Sequence, residues 1–129
     1  MDWSRIKYFR QFEFDDPTAP GSGANMDQAF VEHLDELRAS IGHPLTIHSG
    51  YRTPEHNATV GGVDSSAHTS GHAADIGALS SGERFEIVSA AIKAGFRRIG
   101  IGSTFVHLDD DLTKEQSVCW LYPPTEKRT

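Results

Sequence analysis

Apolar residues recur at helical spacing in two stretches of the chain and alternate with polar residues in several shorter ones. In the first helical stretch, residues 26–40, the apolar side chains fall three or four positions apart. Such spacing predicts an amphipathic helix with one buried face. Asn25 or Asp27 is the expected cap at its start, and Gly42 is expected to end it.

The second helical stretch is predicted to begin at Ser80 or Ser81 and to end near Ala94, before Gly95. Its apolar residues predict a buried face that consists of Phe85, Ile87, Val88, Ala91 and Ile92. Two helices are therefore expected to flank the sheet that the remaining segments form.

Shorter segments with alternating or β-branched residues predict strands at 45–49, 73–78, 97–101 and 104–108, with a last strand or strap within 112–122. Residues 51–72 are rich in small and polar residues, which indicates a long structured loop of the kind that often carries function. The predicted fold class is α+β, with a small, mainly antiparallel sheet and flanking helices.

The length of 129 residues fits a single domain, 1–129. Within it, residues 1–25 are interpreted as an aromatic N-terminal strap followed by a loop, and residues 123–129 as a tail. Cys119 is the only cysteine in the sequence, which excludes an intrachain disulfide and a multi-cysteine zinc site.

Charge and hydropathy argue against nucleic acid and membrane as partners. The formal net charge is −6 and the basic residues are scattered, whereas nucleic-acid binding needs clustered positive charge. No apolar run approaches the roughly 20 residues that cross a bilayer. The N-terminal residues lack the apolar centre of a signal peptide. Synthesis in the cytoplasm is therefore expected, with delivery by other means if the substrate lies outside the membrane.

Two side chains near the second predicted strand are candidates for a metal site. His68 and Asp75 lie in the segment SAHTSGHAAD, where Gly71 allows the loop to curl and the two side chains to converge. Imidazole nitrogen and carboxylate oxygen are both good zinc ligands. The structural alternative is an aspartate that caps a turn, beside a surface histidine.

A third ligand is required, because catalytic zinc has three protein ligands and one open position. His107 and Asp109 alternate with apolar residues in the predicted strand FVHLD, so both side chains point the same way. The predicted ligand set is His68, Asp75 and His107, with one zinc ion (Zn2+) per chain.

Three blocks of sequence in a fixed order extend this pattern. They are SGYRTPEHN followed by VGG (49–57 and 60–62), SxHxxGxAxD (66–75), and GIG leading into FVHLD (100–102 and 105–109). In these blocks the chain resembles the zinc peptidases of the D-alanyl-D-alanine carboxypeptidase and hedgehog-like fold. The short cell-wall peptidases common in phages and prophages are especially similar, over roughly residues 26–110.

The resemblance implies a zinc peptidase that hydrolyses peptidoglycan stem peptides at the cell wall, in an endolysin-like role. The bond could be D-alanyl-D-alanine, cut as a carboxypeptidase or an endopeptidase, or L-alanyl-D-glutamate. By position, Arg52 matches an arginine that faces substrate and binds a carboxylate or polarises a carbonyl. Its alternative is a surface salt bridge or a tie to loop carbonyls. Ser66 is expected to hydrogen-bond within the zinc loop or near substrate.

The catalytic base is where the chain departs from many relatives. Those carry Glu or Asp three residues before the last zinc-binding histidine, and here that residue is Thr104. Asp109 is therefore the candidate base, with an equal case for a role in orienting a zinc-bound imidazole. His72 is interpreted as a neighbour of the substrate cleft that donates to the transition state.

Two alternative functions stay open at this point. One is a non-catalytic zinc-binding module of the same fold, which the substitution at Thr104 favours. The other is a cysteine peptidase based on Cys119, although a small buried thiol is the expected role for that residue.

Overall fold

The computed structural model describes residues 1–123, so residues 124–129 of the expected tail lie outside the described part of the chain. The helices within that part are α1 (Gln28–Ile41), α2 (Pro54–Thr59) and α3 (Ser81–Ala94). The strands are β1 (Ile47–Ser49), β2 (Ala73–Gly77), β3 (Arg98–Ile101), β4 (Phe105–Asp109) and β5 (Val118–Leu121). Short 3-10 turns occupy Trp3–Arg5, Gln11–Phe14, Ser22–Asn25 and Ala67–Ser70.

The five strands form one sheet in the order β1-β2-β4-β3-β5. Neighbouring strands run antiparallel, except that β5 lies parallel to β3 at the edge. The expected α+β class with a mainly antiparallel sheet is therefore confirmed. Strand β4 lies in the middle, with Asp75 of β2 opposite His107 on one side and Gly100 of β3 opposite it on the other.

Helix α1 begins and ends close to the predicted limits. The carboxylate of Asp27, rather than Asn25, accepts a hydrogen bond from the backbone N–H of Phe30 at 3.0 Å. The helix packs with α3 against one face of the sheet. The core between these layers consists largely of Phe30, Val31, Leu34, Leu37, Ile76, Ile87, Ala91, Ile99, Val106 and Leu108.

The predicted buried face of α3 is only partly correct. Ile87 and Ala91 are buried, but Phe85 is 75% exposed and Ile92 is 63% exposed. Val88, the remaining residue of the predicted face, is partly buried against the core. At 100° per residue, Phe85 and Ile92 point well away from the line of Ile87 and Ala91. Among the described residues, no helix has the length and apolar character that crossing a membrane requires.

Asp16 fastens the N-terminal segment to the start of α2. Its buried carboxylate accepts hydrogen bonds from the backbone and hydroxyl of Thr18 at 2.8 and 2.7 Å, and from the Thr53 N–H at 2.8 Å. The Nδ1 atom of His56 lies 3.0 Å from it. Burial acts to raise the pKa of Asp16, but these donors together lower it to about 2.

Replacement of Asp16 by asparagine is expected to destabilise the protein by about 1–3 kcal/mol at neutral pH, because buried donors lose a charged acceptor. The pKa of Asp16 is depressed from 3.8 to about 2, so its contribution is complete above about pH 4 and is lost as pH falls towards 2. Urea unfolding at pH 6, 4 and 2 checks this. A difference between wild type and Asp16→Asn that stays constant across that range would contradict it.

Candidate metal centre

The predicted ligands meet at the middle of the sheet. Asp75 on β2 and His107 on β4 are paired across the strands, and His68 comes from the 3-10 turn before β2. The Oδ1 atom of Asp75 lies 2.9 Å from Nδ1 of His107 and 3.4 Å from Nε2 of His68. One ligand atom from each residue lies within 4.8 Å of the others. All three side chains are buried.

The loop before β2 fixes which nitrogen of His68 faces Asp75. Its Nδ1 lies 2.7 Å from the carbonyl oxygen of Gly50, so Nδ1 carries the proton and donates it. Nε2 is then the nitrogen with a free lone pair on the Asp75 side. Ser66 supports this turn, since its Oγ accepts a hydrogen bond from the His68 N–H at 3.2 Å. Gly71, with φ 79°, allows the turn to end and β2 to begin.

Asp109 fixes His107 in the complementary way. Its Oδ2 lies 2.7 Å from Nε2 of His107, and its Oδ1 accepts from Nε of Arg98 at 2.7 Å. The neutral form of His107 therefore donates through Nε2 and leaves the lone pair of Nδ1 for a metal ion on the side of Asp75, whereas the protonated form donates from Nδ1 to Oδ1 of Asp75 at 2.9 Å. A carboxylate behind a ligating imidazole orients the ring and increases its basicity. Because both oxygens of Asp109 hold other side chains, this geometry favours the orienting role over that of a base.

Burial and hydrogen bonds set the protonation of these three side chains differently. Burial acts to raise the pKa of Asp75, but His68 and His107 beside it hold that pKa well below its usual range. Burial lowers the pKa of His68, which keeps the imidazole neutral. Burial opposes protonation of His107, yet its hydrogen bonds to Asp109 and Asp75 raise its pKa overall.

Two buried polar atoms of the cluster test whether it fits a metal ion. Nε2 of His68 and Oδ2 of Asp75 have no hydrogen-bond partner among the described residues, although Oδ2 of Asp75 forms an ion pair with Nη2 of Arg52 at 3.5 Å. An unsatisfied buried polar atom costs about 1–3 kcal/mol and calls for a physical reason. Two imidazole nitrogens and one carboxylate oxygen are a zinc donor set that leaves a fourth position open. These residues therefore fit a zinc ion.

Arg52 lies behind the ligands rather than on an open surface. It is 2% exposed, and its Nη2 lies 3.5 Å from Oδ2 of Asp75. Its other nitrogens donate to Oδ1 of Asn57 at 2.9 Å and to Oγ of Ser49 at 3.2 Å. The arginine thus places a positive charge beside the carboxylate and ties the SGYRTPEHN block to the cluster.

His72 is directed elsewhere. Its Nδ1 lies 2.7 Å from Oδ1 of Asp110, and its Nε2 lies 3.9 Å from Oδ1 of Asp27 at the start of α1. These three half-buried residues form a separate cluster of possible metal-binding groups. The structure therefore places His72 beside the helix, apart from His68, Asp75 and His107.

A cleft of about 380 Å³ opens beside the ligands. Its described lining includes Ser66, Ala67, Arg98, His107, Asp109 and Trp120, and contains neither Arg52 nor His72. Cys119 is exposed, so the expectation of a buried thiol is wrong. It lies next to Trp120 on the edge strand β5, where successive side chains point to opposite faces, and it is not part of the cleft lining.

The chain is a small α+β fold in which two imidazoles and one carboxylate could hold a metal ion, with His107 also lining the cleft. This is the ligand set of zinc sites that keep a fourth position open. More specifically, the chain belongs to the peptidase M15 family, whose family model matches residues 12–109. It is also 40% identical, over 67 residues, to a zinc D-Ala-D-Ala carboxypeptidase of Streptomyces albus G.

That similarity covers 51% of this chain and 26% of the length of the relative. The family that the sequence blocks indicate is thus confirmed. The chain therefore corresponds to about a quarter of the curated relative that it matches.

Arg98 and Trp120 belong to the cleft and were missed by sequence reasoning. A signal for Arg98 was available, because it alternates with Gly100 on the strand that pairs with β4, and so it shares a face with His107. Trp120 gave no such signal, since its place depends on β5 joining the sheet in parallel beside β3.

Replacement of Asp109 by asparagine is expected to keep the fold and weaken zinc affinity or turnover by about 10–100-fold. An amide supplies one acceptor oxygen, whereas Asp109 accepts from both His107 and Arg98. Zinc titration with a competing chelator, together with kcat and KM, checks this. Asp111→Asn, next to the same turn but outside these contacts to His107 and Arg98, is the matched control. Unchanged affinity and turnover in Asp109→Asn would contradict the orienting role.

Proposed function

We propose that this protein is a zinc-dependent peptidase that hydrolyses peptidoglycan stem peptides. The observation that carries the proposal is the convergence of His68, Asp75 and His107, in which the buried Nε2 of His68 has no hydrogen-bond partner among the described residues. The family membership and the named activity of the relative support the same conclusion.

Each residue of the site has a part that follows from its contacts. His68, Asp75 and His107 would hold one zinc ion, which supplies Lewis-acid chemistry by lowering the pKa of water towards about 7 and polarising a carbonyl. Asp109 fixes the tautomer and direction of His107. Arg52 pairs with Oδ2 of Asp75 at 3.5 Å and holds that carboxylate in place.

Ser66 contributes at the edge of the cleft. Its Oγ accepts from the His68 N–H, and the residue also lines the cleft. It therefore stabilises the ligand-bearing turn and lies where a peptide would contact the protein.

The substrate and setting are proposals that rest on the relatives. The similar protein is named for D-Ala-D-Ala. We propose that this chain cuts a stem-peptide bond whose carbonyl group belongs to an alanine. D-alanyl-D-alanine and L-alanyl-D-glutamate both meet that description. We propose that the protein acts at the cell wall as a carboxypeptidase or an endopeptidase. Its role would be that of a phage endolysin, after release from the cytoplasm.

The test is digestion of purified muropeptides, with the products weighed by mass spectrometry and the zinc content of the protein measured in parallel. We expect one peptide bond to be cut, loss of activity on chelation and recovery on addition of zinc. Alkylation of Cys119 is expected to leave activity unchanged, because the exposed thiol lies outside the cleft lining. Loss of activity on alkylation but not on chelation would overturn the proposal in favour of a cysteine peptidase.

A non-catalytic zinc-binding module is the second candidate, and one observation favours it. Asp109 is the only acid among the described residues that line the cleft, and both of its oxygens are occupied. Stoichiometric zinc with no hydrolysis of any muropeptide would support this function and exclude the peptidase.

A further inference from the structure

An aromatic wall forms one side of the cleft beside the candidate metal ligands. It consists of Trp120 and Tyr122, from β5 and the residue that follows it, with Phe105 of β4 behind them. The ring centroids of Phe105 and Tyr122 are 5.1 Å apart, and those of Trp120 and Tyr122 are 6.2 Å apart. Trp120 and Tyr122 are both half-buried and both line the cleft. Part of each ring is thus available to a bound molecule.

Gly100 allows the two rings to lie against the sheet. A Cβ atom at this position would lie 2.6 Å from Cε2 of Tyr122 and 2.7 Å from Nε1 of Trp120, closer than real Cβ contacts. Gly100 also pairs with His107 on β4 and with Trp120 on β5. The absence of a side chain at Gly100 therefore determines how near the indole lies to His107.

Contacts with His107 and Arg98 hold the indole of Trp120 close to the candidate metal ligands. Its ring centroid is 5.5 Å from that of His107. Cζ of Arg98 lies 4.8 Å from the Trp120 ring, and the same guanidinium holds Asp109, which in turn holds His107. A cation over an indole is attracted to the ring face. The wall and the candidate metal centre thus form one connected unit.

Short side chains make up part of the remaining lining of the cleft. Its described lining also includes Ser66 and Ala67, together with Val63 and Lys114. An apolar ring face beside His107 accepts a methyl group by burying its surface, whereas a larger, branched side chain at the same place would meet the ring. The positions of these groups therefore favour a small aliphatic side chain next to the ligands.

We infer that Trp120 is a specificity-determining residue whose indole binds the alanine methyl on the carbonyl side of the scissile bond and excludes larger side chains. This inference rests on the proposed peptidase function. It goes beyond the family match, which ends at residue 109, whereas Trp120 lies in β5.

The experiment compares synthetic stem peptides that differ only at that alanine, which is kept or replaced by leucine. The bond is the one identified in the muropeptide digest. The kcat/KM ratio of the alanine to the leucine peptide is measured for wild type, Trp120→Ala, Trp120→Phe and Gly100→Ala. Phe85→Ala is the matched control, because Phe85 is an aromatic residue with 75% exposure on α3, outside the cleft lining.

Trp120→Ala is expected to lower the ratio by about tenfold or more, since pocket discrimination of alkyl groups spans about 10–200-fold. Trp120→Phe should lower it less, and Gly100→Ala should lower it by displacing the rings. Phe85→Ala should leave the ratio unchanged. Zinc content and melting temperature are measured for each variant, so that loss of the metal centre or of the fold is separated from a change of specificity.

Failure of this inference can be distinguished from failure of the proposed function. Hydrolysis by wild type with the same ratio in Trp120→Ala, Trp120→Phe and Gly100→Ala would overturn the specificity role and leave the peptidase function intact. No hydrolysis of any stem peptide by zinc-loaded wild type would overturn both. If Trp120→Ala does not fold, the ratios of Trp120→Phe and Gly100→Ala decide the question.

Discussion

Replacement of His107 by alanine is expected to release the zinc ion and to reduce peptide hydrolysis by about 1,000-fold or more. The variant loses a ligand at the centre of the sheet and leaves Asp75 with one imidazole neighbour in place of two. A metal ion contributes several kcal/mol of transition-state stabilisation, and each 1.36 kcal/mol corresponds to a tenfold change in rate. His68→Ala is expected to give the same result.

The measurement is zinc per chain by mass spectrometry after dialysis, together with kcat/KM on the muropeptide that wild type cuts. His43→Ala is the matched control, because His43 also faces a carboxylate, Glu86 at 2.7 Å, but lies exposed on the surface. The control should keep full zinc and activity. Wild-type zinc content in both His68→Ala and His107→Ala would show that the ion, if present, is bound elsewhere.

The features that could be predicted from the sequence depend on the spacing of residues within one short segment of the chain. The periodicity of residues 26–40 corresponds to α1 within two residues at its start and one at its end. The convergence of His68 with Asp75 was predictable because both lie on one short segment that Gly71 allows to turn. His107 was predictable from strand alternation, which a buried, paired strand obeys.

The parts that sequence missed depend on which distant segments become neighbours. Alternation placed Asp109 on the same face as His107, but only the position of Arg98 on β3 shows that its carboxylate is held from both sides. The exposure of Cys119 follows from the edge position of β5. The carboxylate of Asp16 accepts from the N–H of Thr53, which is far away along the chain. Such contacts leave no periodic signal.

The role of Arg52 also depends on distant neighbours. Its sequence motif predicts a contact with substrate, whereas its surroundings in the fold indicate that it pairs with the Asp75 carboxylate and holds it in place. The two roles give different results on substitution. Arg52→Ala is expected to lower the free energy of unfolding by about 3–5 kcal/mol, since removal of one partner leaves a buried charge without its ion pair. The side chains of Arg52 and Asp75 are 3% and 1% exposed, so water cannot replace the lost guanidinium.

Urea unfolding of wild type and Arg52→Ala, each with and without zinc, checks this expectation. Arg5→Ala is the matched control, because Arg5 pairs with Glu32 at 3.4 Å but is 63% exposed. Such surface pairs contribute about 0–1 kcal/mol. Arg52→Lys keeps the charge but lacks the planar fork that reaches Asp75, Asn57 and Ser49 together, so an intermediate loss is expected. If Arg52→Ala were as stable as Arg5→Ala and raised only KM, Arg52 would be a substrate-binding residue and the support of Asp75 would have to come from elsewhere.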